Sequence, residues 1–212
     1  MLKFISMYFR IIIFGISLLL FSCARSQENK DFELIGGPCE GCEAVLEYEG
    51  ELKNTDTLPE FASAENKLKI TGVIYQANGT TPAKDVILYI HHTNAEGVYP
   101  TKGDEKGWAE RHGYIRGWIK TDKDGRYTFY SQIPGSYPDG KNPAHIHPII
   151  LEPDGSYYYL SAYFFEGDPL LTRHHMEDPP RGSDGVVKLQ ENDEIKLIER
   201  DFILGKSIPG YK

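Results

Sequence analysis

The sequence predicts an all-β protein built as a sandwich. Short apolar or alternating runs recur along the chain. Turn residues separate them, and no segment keeps a helical period over three turns. The 21 Gly and 13 Pro supply the turns, and 14 Tyr with 10 Phe suit strand-rich packing. A chain of 212 residues, 40% hydrophobic and 25% charged, is enough for one domain with a sizeable core and short for two.

The first residues stand apart from this pattern. Lys3 and Arg10 flank the start of an apolar run, Ile11 to Phe21, that ends at Ser22-Cys23. A basic start, an apolar centre and a small residue before the break read as an export signal over 1–22. The run is shorter than the roughly 20 residues a membrane span needs. Leu20-Phe21-Ser22-Cys23 resembles the lipobox of bacterial lipoproteins, in which the cysteine becomes the lipidated N-terminus, although Phe21 is unusual at its place in that box. A plain secretory signal and an uncleaved anchor are the alternatives. The expectation is an exported lipoprotein, periplasmic or at the cell surface, held to the membrane through lipid on Cys23. Residues 23–35 are polar and aperiodic and read as a tether.

Residues 36–66 mix Gly, Pro and acids and read as an irregular N-terminal arm. The sandwich domain is expected over 67–212. Leu68–Tyr75 alternates loosely and ends at Asn78-Gly79, and Val86–His91 is nearly continuous in apolar residues. Tyr114–Thr121 and Arg126–Ser131 flank Asp122-Lys123-Asp124-Gly125, a hairpin signal. Ala144–Leu151 and Tyr157–Phe165 flank Pro153-Asp154-Gly155, and Val186–Gln190 and Glu194–Ile198 close the set. Two long loops, 92–113 and 166–185, interrupt the pattern, and loops of that length in a compact domain are usually functional.

Losing 1–22 would remove Lys3 and Arg10 and no acid, taking the formal charge from −8 to −10. With no basic stripe, nucleic acid is not an expected partner. Of the three cysteines, Cys39 and Cys42 remain for chemistry. Their spacing allows a disulfide, a C-x-x-C redox pair or half of a zinc site. With no second pair and no thioredoxin-like βαβ setting, a short-loop structural disulfide is the preferred reading.

The chemistry concentrates between Pro134 and Pro148. His145 and His147, at i and i+2, lie on one face of an extended strand. Pro143 and Pro148 confine that pair to a strand end or an edge. Tyr137 sits eight residues upstream in Pro134-Gly135-Ser136-Tyr137-Pro138, a turn that can fold it back toward the histidines. Imidazole and phenolate together suit an oxidised metal such as Fe(III).

Gly117–Phe129, Pro134–Pro138 and Pro143–His147, with Asn94–Tyr99 upstream and Tyr163–Leu170 downstream, resemble the intradiol ring-cleavage dioxygenases. The nearer likeness is to protocatechuate 3,4-dioxygenase. It covers roughly residues 65 to 200. The resemblance implies a prealbumin-like β-sandwich with long active-site loops and a mononuclear non-haem Fe(III). It implies ligands at Tyr99, Tyr137, His145 and His147, with Tyr114 a rival to Tyr99. A small aromatic diol and O2 are the implied substrates, and insertion between the two hydroxylated carbons gives a muconate-type diacid. Tyr137 is then the ligand that leaves and takes up a substrate proton. Family members often assemble as homo-oligomers through this domain.

Three positions depart from the family pattern. Asn142 stands where an arginine usually stabilises developing negative charge, Ala162 where a glutamine is common, and Asp139 where an aromatic often follows the Tyr-Pro pair. Arg116, Arg126, Lys141, Arg173 and His174 are candidate stand-ins, although Arg116 also resembles a framework arginine. His174-His175 read as part of a solvated loop. The departures keep a second class open, a non-catalytic binding module for a phenolic ligand or iron chelate. A structural sandwich of a cell-surface assembly ranks last, because it leaves the ordered Tyr/Tyr/His/His set unexplained.

Overall fold

The computed structural model describes residues 31–192 and 194–212. The export signal 1–22, Cys23 and the tether up to residue 30 lie outside them.

Twelve strands are present among the described residues: β1 (Glu33–Leu34), β2 (Thr55–Thr57), β3 (Lys67–Tyr75), β4 (Ile87–His91), β5 (Arg116–Lys120), β6 (Arg126–Gln132), β7 (His145–Leu151), β8 (Ser156–Tyr159), β9 (Tyr163–Phe165), β10 (Val186–Val187), β11 (Lys196–Glu199) and β12 (Phe202–Ile203). They form two sheets. The larger runs β1-β8-β7-β4-β5, with β9 beside β7 and β10 beside β9. The smaller runs β11-β3-β6-β2, with β12 beside β3. A four-residue helix, α1 (Ala109–His112), and two 3-10 turns, Cys42–Leu46 and Arg173–His175, complete the structure.

Period-two alternation decides what each face of the larger sheet buries. Leu88 and Ile90 of β4, with Ile146 and Ile150 of β7, point inward and meet Leu68, Ile70, Tyr127 and Phe129 of the smaller sheet. Ile87 and Tyr89, with Ile149 and Leu151, point outward and are covered by Cys42, Ala44 and Val45 of the arm. Both faces of β4 are therefore buried, which explains its unbroken apolar run. His91, His145 and His147 share the parity of the outward set, so the histidines lie on the covered outer face.

Three sequence expectations change. Residues 33 and 34 lie in the stretch read as tether, yet they pair in parallel with Ser156 and Tyr157, and Leu34 packs against the outer cluster. The 114–131 segment is not a β-hairpin: β5 pairs with β4 and β6 with β3, so the Asp122–Gly125 turn carries the chain between sheets. The Asp122 carboxylate accepts from the backbone N–H of Asp124 (2.9 Å) and Arg126 (3.0 Å), which tightens that corner. The single run 157–165 is two strands. β8 pairs with the C-terminal half of β7 and β9 with its N-terminal half, and the Ser161 N–H turns aside to Arg181 O.

Within the arm, Cys39 and Cys42 are joined in a disulfide, with Cα atoms 5.7 Å apart. The arm is irregular apart from its 3-10 turn and β2.

Candidate metal centre

Two loops and one strand end build the site. The Asn94 side chain organises the first loop by accepting from the N–H groups of Glu96 (3.2 Å) and Val98 (3.0 Å), and this aims Tyr99. The second loop carries Tyr137 and is tied to the first: Gly135 N–H donates to Asn94 O (2.8 Å), and Thr93 Oγ1 donates to Gly135 O (2.9 Å). Backbone meets backbone there, since a Cβ on Gly97 would lie 1.8 Å from Ser136 O. At the start of β7, the Asp168 carboxylate accepts from Ala144 N–H (2.9 Å) and Leu170 N–H (2.9 Å), fixing the 166–185 loop beside the histidines.

The structure brings all four sequence-predicted ligands together. Tyr99 Oη lies 2.9 Å from Tyr137 Oη, and Tyr137 Oη lies 3.4 Å from His145 Nε2. The His145 and His147 rings meet edge to face, with centroids 4.5 Å apart. His145 Nδ1 is 2.7 Å from Pro143 O, so it carries the proton and leaves Nε2 as a free donor pair. Tyr114 is elsewhere: its hydroxyl donates to the Glu60 carboxylate.

Burial tunes these groups. It holds His145 below the ordinary imidazole range, although its contact with Pro143 O pulls the other way. Burial and the neighbouring His145 depress His147 further. Both rings are therefore neutral and able to ligate near pH 7. Burial, followed by the Tyr137 phenol, pushes Tyr99 far above the ordinary phenol value. Only a strong Lewis acid ionises such a phenol near neutrality. No three His, Cys, Asp or Glu side chains converge for a metal among the described residues, and the donors that meet here are two phenols beside two imidazoles. A pair of phenols with two neutral imidazoles fits Fe(III) by donor type.

A cavity of about 720 Å³ reaches the two histidines, within the range that holds organic ligands. Asn142 and Ala162 both line it, as do Lys141, His174 and His175. His174 and His175 lie on a solvated loop, His174 exposed and His175 half-buried, and at the same time line the cavity, where His175 Nε2 lies 3.2 Å from Lys141 O. Of the candidate stand-ins for a missing arginine, Lys141 and His174 face the cavity. Arg116 is committed to Glu47 (2.6 Å) and stacks on Trp118 (4.9 Å), and Arg173 pairs with Asp178 (3.2 Å). Arg126 lies exposed at the start of β6.

Sequence reasoning missed two contributors. The disulfide arm supplies Cys39 and Glu40 to the cavity wall, and His91 lines it from β4. His91 pairs across the sheet with His147 and stacks on it at 4.7 Å. Its parity with Ile87 and Tyr89 was readable, but its strand partner was not.

Fold and cluster together define a β-sandwich with a two-phenol, two-imidazole centre under a loop-lined cavity. No family model matches the chain. The protocatechuate 3,4-dioxygenase beta chain of Burkholderia cepacia is 30% identical over 114 residues, covering 50% of this chain and 47% of that one. Catechol 1,2-dioxygenase 1 of Acinetobacter lwoffii is 26% identical over 167 residues, covering 68% and 52%. The chain spans about half the length of these curated relatives. The solved dioxygenase domain of a dioxygenase–carbohydrate-binding fusion from Streptomyces sp. SirexAA-E shares the fold, with a TM-score of 0.56 and 18% identity over 81% of this chain and 98% of that one. These likenesses show that the chain shares the fold of a solved dioxygenase domain and is similar in sequence, over part of its length, to a protocatechuate 3,4-dioxygenase beta chain and a catechol 1,2-dioxygenase.

Proposed function

We propose that this protein is a non-haem Fe(III) intradiol dioxygenase that cleaves a catechol-type diol with O2. Tyr99, Tyr137, His145 and His147 hold the iron in this reading. The observation that carries it is the chain of contacts from Tyr99 through Tyr137 to His145, assembled from three separate segments beside a cavity wide enough for an aromatic ring.

When bound, Fe(III) supplies the Lewis acidity that ionises phenols and makes a chelated diol reactive toward O2. The chain's residues do the rest. Pro143 O orients His145, and the tied loops around Gly97 and Gly135 hold the two phenols within hydrogen-bond distance of one another. Tyr137 Oη, lying between Tyr99 and His145, would, as the phenolate that bound Fe(III) favours, take up a hydroxyl proton from the diol and become a neutral phenol. Pro148, Leu160 and Phe164 give the cavity apolar walls that exclude water from the ring. Asn142 and Ala162 leave the wall without the family's arginine and glutamine, and Lys141 and His174 supply its polar contacts instead. Export as a lipoprotein through Cys23 belongs to the same proposal, and the Cys39–Cys42 disulfide supports an oxidising compartment.

Purified protein from iron-replete cells is expected to contain iron and to show a visible phenolate-to-iron charge-transfer absorption. It should then consume O2 with catechols. Iron-free, colourless protein refutes the proposal. Colour without oxygen uptake on a panel of catechols transfers the assignment to a binding module. Fractionation of wild type against Cys23→Ala checks the anchor: the variant should leave the membrane fraction.

A further inference from the structure

His145 and His147 are held in different ways. A hydrogen bond to Pro143 O fixes the plane of His145. Among the described residues no side chain or backbone group hydrogen-bonds the His147 ring. Its ring instead faces His91, with centroids 4.7 Å apart and planes 13° from parallel. His91 in turn faces His112, at 3.8 Å and 3°. Three imidazoles thus form one column on the outer face of the larger sheet.

The far end of that column is braced. Tyr89 Oη lies 2.9 Å from His112 Nδ1, the Trp108 ring stacks on His112 at 5.5 Å, and Gly41, inside the disulfide loop, sits so close that a Cβ built there would lie 2.5 Å from His112 Nε2. His91 also approaches Tyr99, at 5.8 Å between ring centroids. The middle ring thus touches two of the four candidate ligands. Its Nδ1 is enclosed with no hydrogen-bond partner, and such burial is destabilising. A position that keeps an imidazole while leaving that nitrogen unused is using the flat face of the ring.

We propose that His91 is a positioning residue for the metal: its ring face, backed by His112 and the disulfide arm, sets the plane of His147 and does for it what Pro143 O does for His145. The proposal depends on the iron reading above, and its test separates the two. Partners that orient a ligating histidine typically change metal affinity about 10–100-fold when removed. His91→Phe keeps a flat ring and His91→Leu keeps apolar bulk without one, and both delete the nitrogen equally. Fe(III) affinity is measured by chelator competition, read on the visible absorption, with thermal unfolding recorded in parallel.

His91→Leu should bind Fe(III) about 10–100-fold more weakly than wild type, with a shifted absorption band, whereas His91→Phe should remain within about threefold. Equal affinities for the two variants, whether both tight or both weak, overturn the proposal while wild-type iron binding stands. Wild type that takes up no Fe(III) overturns both readings. Should His91→Leu not fold, His112→Leu is compared with His112→Phe one ring further along the column, and equal affinities there overturn the proposal too.

Discussion

Gly97→Ala tests whether close packing of two loops assembles the centre. Gly97 has φ +77°, and a Cβ built there would lie 1.8 Å from Ser136 O and 2.7 Å from Ser136 C. A left-handed conformation costs an alanine roughly 1–2 kcal/mol. The clash adds about 1–3 kcal/mol of overpacking, since the obstacle is backbone rather than a side-chain tip. Ser136 cannot yield freely, because Gly135 next to it is tied to Asn94 O and Thr93 Oγ1 on the opposite loop. The expected cost is therefore about 2–5 kcal/mol. The loops must part by more than an ångström or so to relieve the clash, which breaks the 2.9 Å Tyr99–Tyr137 contact. Gly103→Ala is the internal control: φ is +95°, but nothing lies within 4 Å of the new Cβ. Urea denaturation of both variants, with Fe(III) absorption recorded on each, gives the comparison. If Gly97→Ala is no less stable than Gly103→Ala and binds iron as wild type does, loop packing does not build the site.

His145→Ala is expected to abolish Fe(III) binding as read by metal analysis; unchanged iron content removes His145 from the ligand set. Stability should fall in mild acid. His92 is fully buried between Thr93 O and Ser131 Oγ, each 2.7 Å away, and burial lowers its pKa from 6.5 to about 4. Its unfolded form binds the proton first, so its contribution is intact above about pH 6.5 and is lost as pH falls toward 4. The amount is about 3 kcal/mol. His92→Gln should flatten that part of the stability–pH curve, and an unchanged slope contradicts the assignment. Arg116→Ala should cost about 1.5–3 kcal/mol through the lost Glu47 contact. It should leave oxygen-uptake kinetics unchanged, and a drop in kcat would instead make Arg116 a catalytic stand-in.

Local physics made much of this protein legible from its sequence. Side-chain alternation along a strand places His145 and His147 on one face whatever the strand pairs with. The Pro134–Pro138 turn marked Tyr137, whereas Tyr99 was marked only by the resemblance, through its place after Ala95-Glu96-Gly97. The disulfide was one of three open readings, chosen because the sequence offered no second cysteine pair.

Long-range pairing escaped the sequence. Nothing near His91 announces that β4 lies antiparallel to β7 in a register that sets it opposite His147. The Asp122–Gly125 turn reads as a hairpin because turn chemistry is local, whereas the sheet each flanking strand joins depends on neighbours elsewhere in the chain. The arm forms a cavity wall because a sandwich whose larger sheet is apolar on both faces must cover the outer one. The sequence therefore named the candidate donors, Tyr137, His145 and His147 by local pattern and Tyr99 by resemblance. Tertiary structure decided what holds and surrounds them, because strand register and face coverage are set by contacts between residues far apart in the chain.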